Sequence, residues 1–213
     1  MFKVGAGRIS FLRAFRVNFK YGPAPGTNST HNIQKNLMTA TAHTTGNMEK
    51  HYLYPGKVFS SKKPHTVDTI LGSCVAVFLW DPVLQFGCIN HFMLPGEEGS
   101  TSFKYGNAAI SELIKRMLNM GSTKSNIKAK IFGGSEIGNA KGSFNIGSRN
   151  ISFTQDMLKK EGIPIVSSSV GGSIGRKVIF HTASGDVLIS YIKQEKNVED
   201  QKSKDHKSKL SEK

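Results

Sequence analysis

Short apolar runs, each bounded by turn residues, set the pattern of the middle of this chain. Residues 75–80 and 87–93 are two such runs, separated by the turn signal Asp81-Pro82, and together they predict a hairpin. Residues 127–132, 163–167, 177–181 and 187–192 predict further strands. The last two are joined by Ala183-Ser184-Gly185-Asp186, a second hairpin turn. Two stretches switch to helical spacing instead. Ala109, Ile110, Leu113, Ile114, Met117 and Leu118 form one apolar stripe, with Asn107 as its cap and Gly121 as its stop. Ser152 with Gln155 has capping-box form ahead of Met157 and Leu158, and Gly162 followed by Pro164 closes that helix. Both stripes are core-packing features without a catalytic role. The body, residues 49–192, is therefore expected to be one α+β domain, and no internal repeat is visible.

The two ends read differently. Residues 1–48 first alternate Arg and Lys with Phe, Leu, Ile and Val, then become rich in Thr, Asn, Gly and Pro. Arg13 and Arg16 interrupt the best candidate for an apolar targeting core, so a disordered basic extension is expected, or sequence upstream of a true start at Met38 or Met48. Residues 193–213 are rich in Lys, Glu, Asp and Ser with almost no apolar positions, which predicts a solvated, disordered tail.

Charge and composition narrow the function. The net charge is +14 over 213 residues, but residues 1–48 hold six basic and no acidic side chains, and residues 193–213 hold seven Lys against five acids. Much of the excess thus lies in the ends. No stripe of Arg and Lys interleaved with aromatics marks a nucleic-acid surface, and a mildly basic body suits an acidic protein partner as well. No apolar run approaches the roughly 18 to 20 residues of a membrane span, so no membrane insertion is expected. The two cysteines, Cys74 and Cys88, are too few for a disulfide framework or a structural zinc site. A reducing cytoplasm with one working thiol is the simpler reading.

The chemistry concentrates in residues 66–95. Cys74 follows Leu71-Gly72-Ser73 and precedes an apolar strand. A thiol at such a turn can expose its sulfur while nearby backbone N–H groups, at Gly72 and Ser73 as well, stay available to an oxyanion. His91 lies seventeen residues later on the partner strand of the hairpin. Antiparallel pairing could bring its imidazole beside the sulfur and hold a thiolate–imidazolium pair. Spacing alone leaves this open against a buried apolar Cys and a structural His. Gly133-Gly134 and the run from Gly171-Gly172 to Arg176 lack the spacing of phosphate-binding loops and are read as loops lining the active-site face, with Arg176 facing either an acidic partner or a surface ion pair.

Several blocks, in order, resemble the CheD family of chemoreceptor glutamine deamidases. They are Leu71-Gly72-Ser73-Cys74-Val75-Ala76-Val77 and Asn90-His91-Phe92-Met93-Leu94-Pro95, with Asp81-Pro82 between them. Further blocks are His51 to Gly56, Tyr105 to Ala109, Phe132-Gly133-Gly134, Ile146 to Asn150 and Gly171-Gly172 through Lys177. The resemblance covers most of the body. It implies β-sheets packed as a sandwich with helices outside, akin to cysteine-dependent deamidating toxins. It implies Cys74 as nucleophile and His91 as base, with Thr69 or Asp68 orienting the imidazole. Two departures stand out: Cys88 where a small residue is expected, and Ser169 where an Asp is usual.

The resemblance further implies a cytoplasmic protein-glutamine glutaminase that needs no metal or organic cofactor. Its substrates would be glutamine side chains of methyl-accepting chemotaxis receptors, and a CheC-like phosphatase would be a further partner. The alternative is a non-catalytic adaptor that binds the receptors or such a phosphatase.

Overall fold

The computed structural model describes residues 15–17, 48–137 and 145–192. The extension and tail expected at the two ends lie outside the described residues, apart from residues 15–17 and 48. Among the described residues, ten strands and two helices follow in the order β1 Phe15–Val17, β2 Glu49–Tyr52, β3 Lys57–Ser61, β4 His65–Leu71, β5 Val75–Asp81, β6 Phe86–His91, α1 Gly106–Asn119, β7 Lys128–Gly133, α2 Ile146–Lys160, β8 Ile165–Val170, β9 Arg176–His181 and β10 Val187–Tyr191.

The strands make two five-stranded sheets, ordered β1-β10-β9-β4-β2 and β3-β6-β5-β7-β8. Most pairings are antiparallel, while β2 with β4 and β7 with β8 are parallel. The sheets face one another across a core of Val67, Leu71, Ala76, Phe78, Trp80, Ile89, Phe132, Val178, Phe180, Val187 and Ile189. Phe78 sits at its centre, with its ring 5.1 Å from that of Phe132 and 4.8 Å from that of Phe180. A second core, including Val75, Val77, Leu79, Cys88, Ile110, Leu113 and Met117, fills the space between the outer face of the β5 sheet and the helices. This is the α+β architecture expected from the sequence: a sandwich of two sheets with helices outside.

The layering explains the sequence pattern. The strand β5 is buried at every residue because its even positions face the other sheet and its odd positions face the helices. It therefore reads as a continuous apolar run rather than an alternation. Each large side chain buried there contributes about 1.5–3 kcal/mol relative to exposure. By contrast β4 alternates, with Val67, Thr69 and Leu71 inward and Thr66, Asp68 and Ile70 outward.

Both expected hairpins form, at Asp81-Pro82 and at residues 183–186. Asp81 holds its turn by accepting the backbone N–H groups of Val83 and Leu84 at 2.8 and 3.0 Å. The helix stops also fall where expected. Ser122 N–H reaches Met117 carbonyl beyond Gly121 at φ +99, and Ile163 N–H reaches Leu158 carbonyl beyond Gly162 at φ +70.

The helix starts differ from expectation. Asn107 is not a cap: it lies inside α1, and its side chain pairs with the backbone of Glu97 instead. The Ser152–Gln155 pair lies well inside α2, which begins at Ile146. Glu136 does the work expected of a capping side chain by accepting Ser148 N–H at 2.9 Å, where a carboxylate also favours the positive end of the helix.

Candidate active site

Cys74 stands in the short connection between β4 and β5, where the chain crosses from one sheet to the other. Its sulfur is partly buried and packs against the core between the sheets. Gly72 and Ser73, expected as the turn before it, are held from two sides. Ser135 N–H donates to Gly72 carbonyl at 2.8 Å, and the Asn150 side-chain amide donates to Ser73 carbonyl at 2.9 Å.

His91 ends β6. The register that pairs Phe78 with Ile89 and Val75 with Phe92 sets His91 across from Ala76, on the face that looks toward the other sheet. Cys74 is the diagonal neighbour on that face, a relationship that spans about 7–8 Å between backbones and leaves side chains within reach. The hairpin expected from sequence therefore does bring Cys74 and His91 to one side of one sheet. The block of residues 51–56 frames the imidazole. Leu53 is buried, and Gly56 N–H donates to His91 carbonyl at 2.6 Å.

Thr69 reaches the site from the opposing sheet. Its hydroxyl lies 2.7 Å from Leu53 carbonyl and 2.8 Å from His91 Nδ1, all three groups being buried. Asp68, the other residue expected to orient the imidazole, points the opposite way. Its carboxylate meets Lys177 Nζ at 3.1 Å on the outer surface. The reason is the period of a strand: one residue of displacement moves a side chain to the other face.

Burial dominates the protonation of the site. It pushes the Cys74 thiol above its ordinary value, with only its own backbone N–H pulling the other way. It pushes His91 down to about 4, against the opposing effect of Leu53 carbonyl. Burial thus disfavours the thiolate of Cys74 and the imidazolium of His91 alike. His91 Nε2 is buried and has no hydrogen-bond partner among the described residues. Cys88 is also buried, pushed up to about 12. It faces the helices, on the side of the sheet away from Cys74.

The glycine loops lie against the backbone of Cys74. Gly134 N–H donates to Cys74 carbonyl at 2.8 Å, and Gly171 N–H donates to Gly133 carbonyl at 2.9 Å. Gly172 carbonyl accepts Glu136 N–H at 2.8 Å. Gly133 has φ +106, and a β-carbon there would run into Cys74 carbonyl. Gly133 and Gly134 therefore brace the Cys74 backbone by close approach.

Arg176 departs from the surface role expected of it. It is 2% exposed, and its guanidinium is spent on Ser135, Ser169 and Gly171 within the protein. An arginine so placed ties loops together and cannot meet an acidic partner. Sequence reasoning missed Asn150 and Ser135 as parts of the site. Asn150 shares the buried face of α2 with Gly147, Thr154 and Leu158, so the available signal was a polar residue on a stripe that should be apolar.

A family model described as CheD chemotactic sensory transduction matches residues 93–191. A probable chemoreceptor glutamine deamidase CheD of Sulfurimonas denitrificans is 38% identical over 150 residues, covering 68% of this chain and 96% of that protein. A protein of the same description from Trichlorobacter lovleyi is 38% identical over 151 residues, covering 70% of this chain and 94% of that protein. Among solved structures, a Bacillus licheniformis hypothetical protein, YfiH, is similar with a TM-score of 0.34 and 18% identity, covering 61% of this chain and 58% of that one.

Proposed function

This chain belongs to the CheD family, and we propose from that membership that it deamidates glutamine side chains of methyl-accepting chemotaxis receptors, with Cys74 as nucleophile and His91 as base. The protein is then a protein-glutamine glutaminase, and chemoreceptors are its partners. The observation that carries the mechanism is the buried contact of Thr69 with His91 Nδ1 beside a bare Nε2.

The steps follow from the protonation of the site. His91 Nε2 takes the Cys74 thiol proton as the sulfur attacks the carboxamide carbon, so charge appears only as the bond forms. The carbonyl electron pair moves to oxygen, where the Cys74 N–H is suited to receive it. The imidazolium returns its proton to the nitrogen, and ammonia leaves with the thioester formed. A water molecule, deprotonated by His91, then adds to the thioester carbon and the thiol is released. Glutamine and water become glutamate and ammonia, and the receptor gains a carboxylate.

No helix among the described residues is long and apolar enough to cross a membrane, which accords with a cytoplasmic enzyme working on the cytoplasmic helices of receptors. A CheC-like phosphatase is the second partner we propose.

The test is ammonia release together with a mass increase of about 1 Da on folded receptor domains, for wild type and Cys74→Ala. Conversion by wild type alone supports the enzyme and its nucleophile together. Receptor binding without conversion by either protein overturns the catalytic reading in favour of an adaptor.

A further inference from the structure

Asn150 lies in the second turn of α2, fully buried on the face that meets the β5 sheet. Its side-chain nitrogen donates to Ser73 carbonyl and to Met93 carbonyl, each at 2.9 Å. Both partners are pure acceptors, so the amide orientation is dictated by chemistry: the NH2 faces the two carbonyls and Oδ1 faces away. That Oδ1 is buried without a hydrogen-bond partner among the described residues. An unpaired oxygen in a dry interior is costly, and a residue kept only to fill space would be apolar. The cost is tolerated for the two donors.

What the donors hold is the backbone on either side of the reacting pair. Ser73 carbonyl belongs to the peptide unit that leads into Cys74. Met93 carbonyl lies just past Phe92, which exchanges backbone bonds with Val75 at 3.1 and 3.2 Å. One amide therefore fixes the chain entering the nucleophile against the chain leaving the base. A trans peptide is planar, and its C=O and N–H point in opposite directions. With Ser73 oxygen drawn toward α2, the N–H of Cys74 is turned away from the helix, to the side where the Cys74 sulfur packs between the sheets.

We propose that Asn150 is a positioning residue which, by anchoring the Ser73 carbonyl, aims the Cys74 N–H at the oxyanion formed when the Cys74 sulfur attacks a carbonyl carbon. This rests on Cys74 being the nucleophile, as proposed above, but not on the identity of the substrate. Attack on any acyl carbon drives an electron pair onto oxygen and calls on that N–H. Displacement of iodide from iodoacetamide forms a carbon–sulfur bond at a saturated carbon and creates no oxyanion.

The two reactions separate the roles. On the full chain, the rates of Cys74 acetylation by p-nitrophenyl acetate and of its alkylation by iodoacetamide are measured by intact mass. The proteins compared are wild type, Asn150→Asp, Asn150→Ser and Thr154→Val, with Cys74→Ala as the blank. Thr154 bonds Asn150 through the main chain only, at 2.7 Å. Acetylation is expected to fall roughly ten- to a hundredfold in the Asn150 variants while alkylation stays within about twofold, and Thr154→Val is expected to change neither.

Equal falls in both reactions, or unchanged acetylation, overturn the proposal. Alkylation of Cys88 in both Asn150 variants also overturns it, since exposure of that buried thiol marks a fold residue. Receptor deamidation by wild type is followed in parallel. If it is absent while acetylation and alkylation separate as expected, the receptor reading falls and the role of Asn150 stands.

Discussion

The Thr69 hydroxyl lies 2.7 Å from Leu53 carbonyl and 2.8 Å from His91 Nδ1, and this fixes the proton on the imidazole. A carbonyl can only accept, so the single hydroxyl proton goes to Leu53. The hydroxyl must then accept from His91, which places the imidazole proton on Nδ1 and leaves Nε2 as a lone pair toward the site. Thr69→Val keeps the shape and removes both bonds. The expected result is a loss of about ten- to a hundredfold in kcat for ammonia release, as the tautomer is freed, with Thr69→Ser retaining most activity. Stability should fall by about 1–3 kcal/mol in urea titration, because two buried polar groups lose their partner.

Asp68 provides the contrast. Its ion pair with Lys177 at 3.1 Å lies on the outer face of β4, with both side chains partly exposed. Asp68→Asn should leave kcat unchanged and move stability by no more than about 1 kcal/mol. A loss of activity comparable to that of Thr69→Val would mean that the orienting residue is Asp68 after all.

One pH response follows from the lowered pKa of His91. An exposed imidazole titrates near 6.5, whereas His91 does so at about 4 in the folded chain. Above both values the two states bind equally few protons and His91 contributes nothing to the slope. Between them the unfolded chain takes up a proton that the folded chain refuses, so stability falls as pH drops from about 6.5 to about 4 and then levels off. The loss attributable to His91 should not exceed about 3 kcal/mol, and His91→Gln should remove that component from urea midpoints measured across this range. The acid limb of kcat/KM should also lie well below 6.5.

Gly133 fits closely against the backbone of Cys74. Its φ of +106 is one that side chains rarely adopt, and a β-carbon would collide with Cys74 carbonyl and crowd Leu71. Gly133→Ala is expected to destabilise by at least about 2 kcal/mol and to lower kcat more than it raises KM. Gly121→Ala, also at positive φ but in open space, should cost only the backbone strain and leave kcat intact. Similar kinetic losses in both would show that distortion near Cys74 is not the cause.

How far the sequence carried depends on which physical signal each element emits. The β5–β6 hairpin was legible because apolar runs and Asp81-Pro82 mark it, and with it came the shared face of Cys74 and His91. The strand β4 was not singled out, since its outward half is Thr66, Asp68 and Ile70 and only Val67 and Leu71 announce the inward half. Recognising that alternation would also have chosen Thr69 over Asp68. The buried guanidinium of Arg176 was illegible, because arginines are rarely buried and nothing local in the sequence marks this one. The start of α2 differs from expectation because its capping carboxylate, Glu136, lies twelve residues before Ser148, outside the span of a local capping motif.

Arg176 leads to a last expectation. The guanidinium is buried, and its hydrogen-bond partners are the Ser135 and Ser169 side chains and the backbone carbonyls of Ser169 and Gly171. Among the described residues no carboxylate pairs with it, and its Nε has no partner. Burial accordingly draws its pKa below the ordinary value, with Tyr191 opposing. Neutral dipoles stabilise such a cation less than a carboxylate in the same place would. Ser169 Oγ already lies 2.9 Å from Nη1, so Ser169→Asp would set an acid at bonding distance with little rearrangement. The variant should gain about 1–3 kcal/mol at neutral pH, a gain lost on acidification as the new carboxylate is protonated. Its Cys74 alkylation rate should match wild type, since Arg176 acts on the loops and not on the sulfur. A Ser169→Asp protein less stable than wild type at neutral pH would show instead that crowding by Tyr191, whose hydroxyl is 3.2 Å from Ser169 Oγ, outweighs the ion pair.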